Sequence, residues 1–215
     1  DELLRERMAW LAEYQNDRYA DTYREVVLAV QSAEQRLPGH SEALTRAVLR
    51  YLYKVMAYKD EYEVARLYSD PTFKAKLEAQ FEGDFRFEFN MSPPAIAPRD
   101  KVTGLPKKIT LGSWILPAFG LLAKFKFLRA TALDFFGRTD ERRTERRLIE
   151  EYLVTLEDLI EKLELDNLDA AVDIASIPQM IKGYGHVKDL NVSEAEQRRR
   201  VLLDNWHNRV FVKAA

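Results

Sequence analysis

Residues 53–68 read YKVMAYKDEYEVARLY, a stretch with four tyrosines, many charges and neither glycine nor proline. Upstream, Ser41 is a good helix cap, and apolar residues recur at helical spacing through this stretch. We therefore predict one long helix that begins near Ser41 and ends near Asp70, because Pro71 disfavours the α conformation of the residue before it. The positions on its apolar face are Leu44, Val48, Tyr51, Leu52, Val55, Met56, Tyr62 and Ala65.

The first 36 residues carry apolar side chains mostly three or four positions apart, which predicts one long helix. Pro38 and Gly39 end it, and the following turn is short. Two long helices joined by a short turn normally pack antiparallel. A third, shorter helix is expected from Pro71 to about Phe81.

The pattern changes after residue 83. Phe85, Phe87 and Phe89 alternate with polar residues, which is typical of a strand. A proline-rich stretch follows, and residues 109–111 (ITL) are expected to return as the partner strand. Loops this long inside a compact domain are uncommon and are often functional.

Helices account for the remainder. Residues 114–128 (WILPAFGLLAKFKFL) predict a broken, buried helix, and Thr139 is expected to cap a helix over residues 140–163. Further helices are predicted from Asp166 to Pro178 and from a Ser193–Glu196 capping box to about residue 208. The sequence thus predicts a mainly α fold: an antiparallel helical bundle, one domain over residues 1–215, with a small β-hairpin-like insertion around residues 84–112.

Composition narrows the functional classes. The 215 residues contain 33 Lys and Arg against 35 Asp and Glu, a balance that argues against a nucleic-acid partner. The chain has no cysteine, so neither a disulfide nor a thiolate metal site can form. The absence of cysteine favours a cytoplasmic location. No apolar run approaches the ~20 residues that span a bilayer, and we expect no membrane partner. The chain begins with Asp1, which we interpret as the start of a piece of a longer protein.

Eight residues are candidates for a domain interface. Four lie in the tyrosine-rich stretch, two in the proline-rich arm, and two in the turn IKGYGHVK (residues 181–188). They are Lys59, Asp60, Glu61, Arg66, Arg99, Asp100, Lys182 and His186. In the alternative interpretation they are ordinary solvated side chains, and His186 is a turn residue. If Lys59 and Asp60 face solvent, alanine at either position should hardly change the melting temperature.

Catalytic signatures are missing. Gly83-Asp84 is followed by Phe85, so the Gly-Asp-Gly start of a thiamine-diphosphate signature is absent. No GxSxG elbow and no His, Asp and Glu cluster with ligand spacing occurs. We predict no catalytic, cofactor-binding or metal-binding residue in this chain.

Four motifs resemble those of one enzyme family. They are MAYKDEYEVARLY (56–68), the PP…RD…TG.P.K pattern (93–108), WILPAFGLLAKFKFLRATALDFFGRTDERR (114–143) and GYGHVK (183–188). Together they are similar to the C-terminal domain of long, fused indolepyruvate ferredoxin oxidoreductases, which are 2-oxoacid:ferredoxin oxidoreductases. The resemblance implies a parent enzyme that uses thiamine diphosphate, magnesium, iron–sulfur clusters and coenzyme A outside this segment.

Three functional hypotheses follow. In the first, the chain is a non-catalytic accessory domain whose partners are the other domains of that parent or its second protomer, while ferredoxin is the partner of the parent. In the second, it is an independent helical interaction module without a redox role. In the third, its arginine-rich helices bind nucleic acid.

Overall fold

The computed structural model describes residues 2–39, 41–80, 88–91, 97–98, 101, 104 and 107–211. The described part is mainly helical with one small antiparallel sheet, so the predicted mainly α class is confirmed. The helices are α1 (Glu2–Tyr14), α2 (Asp17–Glu34), α3 (Ala43–Met56), α4 (Glu61–Ser69), α5 (Pro71–Gln80), α6 (Leu116–Lys124), α7 (Asp140–Lys162), α8 (Leu168–Ala175) and α9 (His186–His207). The strands are β1 (Glu88–Met91) and β2 (Ile109–Gly112).

The chain divides into two compact units. Unit 1 comprises residues 1–58 and 145–215, and unit 2 comprises residues 59–144. The boundary falls within α7, whose first turn belongs to unit 2. The single domain predicted over residues 1–215 stays a prediction.

Both long helices predicted in the N-terminal half are interrupted. The first breaks at Asn16, whose extended backbone (φ −170°) lets its side chain accept a hydrogen bond from Tyr19 N at 2.9 Å. The second breaks after Met56, and Asp60 begins α4 by accepting from Glu63 N at 2.8 Å. In both places a short polar side chain caps a new helix while the apolar periodicity continues across the break, so periodicity alone missed it.

The antiparallel packing of α2 and α3 is visible in their hydrogen bonds. Tyr19, near the start of α2, donates its hydroxyl to Met56 O at the end of α3 (3.0 Å). At the opposite end, the Glu34 carboxylate accepts from the second and third amides of α3, Leu44 N (3.0 Å) and Thr45 N (2.8 Å). Glu34 therefore acts as a helix cap supplied by the neighbouring helix.

The core of unit 1 is formed by the inner faces of α1, α2, α3, α7, α8 and α9. Two tyrosines lie fully inside it with their hydroxyls bonded to helix carbonyls: Tyr23 to Leu49 O and Tyr152 to Ala175 O, both at 2.7 Å. Burial raises the pKa of Tyr23 to about 12, against the lowering influence of Arg7, and burial also raises the pKa of Tyr152. Each phenol is therefore held in its neutral form.

The C-terminal helices follow the prediction with two corrections. Helix α7 begins after Thr139 as expected, and the Thr139 hydroxyl accepts from Arg142 N at 3.4 Å. Near residue 166 the cap is a reciprocal pair of Glu164 and Asn167 rather than Asp166. The last helix begins at His186, about two turns before the predicted start at Ser193. It begins there because Gly183 and Gly185 adopt the positive φ values (87° and 54°) that turn the chain.

Unit 2 contains α4, α5, the hairpin strands and α6. Strand β1 pairs antiparallel with β2, with Phe89 opposite Leu111, which confirms the predicted return strand. Phe85 and Phe87, predicted for the same strand, lie outside the described residues. Phe89 packs with Ala65 of α4 and Phe119 of α6 in a small buried cluster, and the Tyr68 ring lies 4.9 Å from the Phe89 ring.

Candidate docking surface

Unit 2 carries a run of large apolar side chains in solvent between residues 114 and 135, hereafter the apolar segment. Trp114 is 70% exposed and Leu133 is 73% exposed. The other exposed members are Leu121, Phe125, Phe127 and Phe135. The predicted broken helix is confirmed, since α6 is flanked by 3-10 turns at residues 113–115 and 125–128. The predicted burial is wrong, because in α6 only Phe119 is fully enclosed.

A buried ion pair fixes the backbone just after α6. The Arg129 guanidinium donates to Asp60 from Nε (2.6 Å) and from Nη2 (2.9 Å), and the two side chains are 2% and 4% exposed. Asp60 thereby caps α4 and holds Arg129 at the same time. A bidentate pair of this kind is strongly directional, so it positions residue 129 relative to the start of α4.

A second buried carboxylate, that of Asp134, stabilises the loop that follows Arg129. Asp134 accepts from Ala130 N and Gly137 N, both at 2.9 Å, and from the Tyr62 hydroxyl at 3.3 Å. Ala130 adopts a left-handed conformation (φ 61°) that non-glycine residues rarely take, which the Asp134 bonds hold in place. Leu133 and Phe135, on either side of Asp134, point into solvent while Asp134 points inward.

Tyr62 connects the two buried carboxylates. Its ring meets Phe136 edge-on at 5.4 Å, and the Arg129 guanidinium lies 5.7 Å from its centroid. Burial first, and then the charge of Asp134, raise the pKa of Tyr62 to about 12. The hydroxyl therefore remains a donor to Asp134 throughout the neutral range. Asp60, Arg129, Tyr62 and Asp134 form one buried network, hereafter the brace.

Within residues 107–139, the charged side chains are mostly positive. Residues 107–139, all of them described, contain six Lys and Arg and a single carboxylate, Asp134. Arg129 and Asp134 belong to the brace and are buried. The remaining charges are Lys107, Lys108, Lys124, Lys126 and Arg138. This stretch therefore has a positive net charge in sequence, and exposed carboxylates lie directly outside it, at Asp140 and at Glu88, which pairs with Gly112.

The candidates in the tyrosine-rich stretch lie mostly inside unit 2. Lys59 is exposed, but Asp60 is only 3% exposed and belongs to the brace. Glu61 accepts from Arg142 Nε at 3.2 Å, and Arg66 donates to Glu63 at 2.8 and 2.9 Å. Three of the four candidates therefore hold internal ion pairs beneath the surface on which we expected them. Their role at an interface stays a prediction.

Of the remaining candidates, the structure describes Lys182 and His186. Lys182 and His186 are exposed in unit 1, where the Lys182 carbonyl accepts from Asn191 Nδ2 at 2.8 Å. Lys54 lies close enough to Lys182 and Lys188 that their charges, after burial, lower the pKa of Lys54. Arg99 and Asp100 lie outside the described residues.

Two small cavities occur in the described part of unit 1. One, of about 30 Å³, is lined mainly by apolar side chains such as Val55, Tyr152 and Ile174. The other, of about 100 Å³, is polar and includes Asp173 and Arg198 in its lining. Neither cavity has room for a cofactor of the size of thiamine diphosphate.

The described residues contain neither a metal-binding cluster nor a membrane-spanning helix. There, no group of three or more His, Asp or Glu side chains is arranged to hold a metal ion. None of the helices in that part of the chain is long and apolar enough to cross a bilayer.

Sequence reasoning missed Arg129 and Asp134, although a signal was present. Both are isolated charges in the apolar run FKFLRATALDFF (residues 125–136). A charge in such surroundings is normally either paired or functional. The distant partner of Arg129, Asp60, could not be identified from the sequence.

One of three comparisons with known proteins gave a match. A model of a family of unknown function, DUF6537, matches residues 1–201. No curated protein and no solved structure matches the chain.

Proposed function

The chain belongs to the DUF6537 family of unknown function, and on that premise we propose that it is a non-catalytic docking domain. Its partners would be the other domains, or the second protomer, of a 2-oxoacid:ferredoxin oxidoreductase acting on indolepyruvate or a similar aryl 2-oxoacid. The resemblance of the four motifs between residues 56 and 188 supports this choice of parent. Thiamine diphosphate, magnesium, iron–sulfur clusters and coenzyme A would bind elsewhere in that enzyme, which would pass electrons to ferredoxin.

The observation that carries the docking role is the exposure of the apolar segment. Fully burying one large apolar side chain contributes about 1.5–3 kcal/mol. The six side chains are between 40% and 73% exposed, so covering the exposed fraction would contribute roughly 5–10 kcal/mol. Monomeric proteins rarely leave large contiguous apolar patches in water unless the surface binds something, and we infer that these six side chains, which are close in sequence, contribute to such a patch.

The brace supports the same interpretation. Burying an Arg–Asp pair contributes little to stability compared with apolar residues of the same volume, and its best-attested benefit is a specified geometry. Here the geometry it specifies is that of a loop whose outward side chains are Leu133 and Phe135. A loop held in one shape can present apolar side chains to a partner without an ordering cost at the moment of binding.

The proposal is tested on the full-length parent polypeptide with Phe127→Ser and Leu133→Ser variants. Each should weaken assembly at least tenfold, because truncating a hot-spot residue at the centre of an interface costs about 2 kcal/mol or more. Size-exclusion chromatography measures assembly, and 2-oxoacid-dependent ferredoxin reduction measures turnover. Val154→Ser, which alters an exposed apolar residue of α7 in unit 1, is the matched control.

Two results would contradict the proposal. One is wild-type assembly and turnover in both variants. The other is a full-length protein that reduces no ferredoxin with any aryl 2-oxoacid. The second result alone would favour the alternative function, an independent helical interaction module without a redox role, which the same apolar segment would serve.

A further inference from the structure

We propose that the polar cavity of unit 1 binds a small zwitterion, of which a free α-amino acid with a short side chain is the simplest example. The cavity has a volume of about 100 Å³ and lies where the C-terminal end of α8, the 3-10 turn Ile177–Met180 and α9 meet. All of its lining residues belong to unit 1, whereas the proposed docking role belongs to the apolar segment of unit 2.

Two side chains of opposite charge line this cavity. Asp173 comes from the last turn of α8, and Arg198 comes from the middle of α9. Within the part of the chain that the structure describes, they form no ion pair with each other or with another side chain. Each charge therefore keeps its capacity to attract a group of opposite sign. The space that both charges line suits a ligand that carries a cationic and an anionic group.

The end of α8 makes the negative side of the cavity more negative. A helix carries a partial negative charge at its C-terminus, so a carboxylate there is normally unfavourable. Asp173 stands two residues before Ala175, the last residue of α8, and the last turn of this helix contains no basic residue. An ammonium group bound beside Asp173 would offset both negative charges. The carboxylate of the ligand would then face Arg198, whose guanidinium can donate two parallel hydrogen bonds to it.

Two neutral polar side chains, Ser176 and Gln179, also line the cavity. The Tyr51 hydroxyl donates to Gln179 Oε1 at 3.2 Å, which restricts the orientation of the Gln179 amide. The amide nitrogen of Gln179 is a donor, and the Ser176 hydroxyl can donate or accept. The lining therefore offers hydrogen-bonding groups for both ends of a zwitterion.

The volume of the cavity and the apolar part of its lining limit the size of the ligand. A space of about 100 Å³ holds several water molecules or a solute of a few non-hydrogen atoms. Pockets for larger ligands are typically about 300–1,000 Å³. Ile177 is buried and Leu202 is half-buried in the lining, so a short aliphatic side chain would find apolar contacts there. An aromatic amino acid is too large for this space.

Ligands with a single kind of charge fit the cavity less well. A phosphate ion would be attracted by Arg198 and repelled by Asp173, and a metal ion would be attracted by Asp173 and repelled by Arg198. Asp173 is also the one carboxylate among the described lining residues, and a stable site for a hard cation needs more oxygen ligands. A molecule with both charges avoids these repulsions.

The first experiment measures binding and its dependence on the charges of the ligand. The protein is titrated at pH 7 with L-alanine, and with propionate and ethylamine, which each lack one of its charged groups. Amide NMR shifts of residues 173–180 and 198–202 should saturate with L-alanine in the millimolar range. Propionate and ethylamine should bind at least roughly tenfold more weakly, because each loses one charge-assisted contact.

Three results of this titration would overturn the proposal. They are the absence of saturable shifts with L-alanine, an equal affinity for either single-charge compound, and an equal affinity for L-tryptophan. The first would mean that the cavity holds only water. The second would reduce it to a site for one charge, and the third would place the binding outside a cavity of this size.

The second experiment locates the site. Arg198→Gln and Asp173→Asn should each weaken L-alanine binding roughly tenfold, because each removes the partner of one charged group. Both side chains are exposed, so neither change should alter the melting temperature appreciably, which circular dichroism checks. Arg200→Gln on α9 and Asp169→Asn on α8 remove the same charges from exposed positions outside the cavity lining and should leave the affinity unchanged. Wild-type affinity in both cavity variants, or equal losses in the controls, would refute the assignment to this cavity.

Discussion

At the scale of single residues, the brace changes the meaning of Asp60. Its place in a charged run predicts a solvent-facing residue, but the side chain is buried, caps α4 and pairs with Arg129. Lys59, its neighbour in the chain, is exposed as expected. Periodicity distinguishes the faces of a regular helix, and it fails at a helix cap, where the backbone leaves the helix and the side chain turns inward.

We accordingly reverse the expectation for alanine at Asp60. Asp60→Ala and Arg129→Ala should each lower the free energy of unfolding by about 3–5 kcal/mol, because each leaves its partner as an uncompensated buried charge. Urea denaturation measures the change, and Lys59→Ala should stay within ~0.5 kcal/mol of wild type.

A double-variant cycle separates pairing from packing. Arg129→Met should cost much less in an Asp60→Asn background than in the wild type, since Asn retains the cap but not the charge. Equal costs in the two backgrounds would show that Arg129 acts through packing alone.

The buried tyrosines predict a loss of stability in alkali. The phenol pKa is about 10 in an unfolded chain, whereas burial raises it to about 12 in Tyr23 and Tyr62. Because the folded-state pKa is the higher one, this stabilisation is fully present below pH ~10 and is lost as the pH rises towards 12. Urea denaturation between pH 8 and 12 should show the decline, and Tyr23→Phe should make it shallower. A midpoint that does not change up to pH 12 would contradict the assignment.

At the scale of elements, agreement with the sequence depends on where each helix finds its cap. Helix α7 was predicted almost to the residue because Thr139, its cap, directly precedes it. Helix α9 was placed too late because its start depends on two left-handed glycines and not on the Ser193 pattern. The predicted cap of α3, Ser41, is wrong: Glu42 occupies the N-cap position without a side-chain cap bond, and the acceptor is Glu34 on another helix, which the sequence does not reveal.

The Glu34 cap gives a prediction at this scale. Glu34→Ala should destabilise the chain by roughly 3 kcal/mol, because it leaves two buried amides and the Thr45 hydroxyl without their acceptor. Glu34→Gln should cost less, since an amide oxygen can still accept from part of this set. Circular dichroism during thermal unfolding measures both. Glu42→Ala is the control, because Glu42 precedes α3 but makes no side-chain cap bond. Equal effects at 34 and 42 would disprove the cap.

At the scale of the whole molecule, the fold class could be predicted from the sequence, whereas the exposure of individual side chains could not. Alternating phenylalanines and a distant ITL were enough to predict the two-stranded sheet. Hydropathy could not distinguish the core residue Phe119 from the exposed Phe127. Both are phenylalanines in one apolar run, and much of the surface of a folded protein is also apolar. The exposure of the apolar segment could therefore not be predicted from the sequence.

The two units should differ in how readily they open. In the described residues, the buried apolar cluster of unit 2 has three members, Ala65, Phe89 and Phe119, whereas that of unit 1 has nineteen. Local opening becomes easier as buried apolar contacts become fewer. Amides of α6 and of the strands should therefore exchange with solvent at lower opening free energies than those of α2, α3 and α8.

Native-state hydrogen exchange of the isolated chain measures these free energies, and the same experiment on the full-length protein tests the docking role. If the apolar segment meets a partner face, the amides of residues 116–128 should gain protection there by tenfold or more, because a bound partner stabilises the closed form by mass action. The amides around Val154 on α7 serve as the internal reference, since Val154 is exposed and lies in unit 1. Protection of residues 116–128 that is the same in the isolated and full-length proteins would mean that the segment faces solvent in both, and the exposed aromatic residues would then need another explanation.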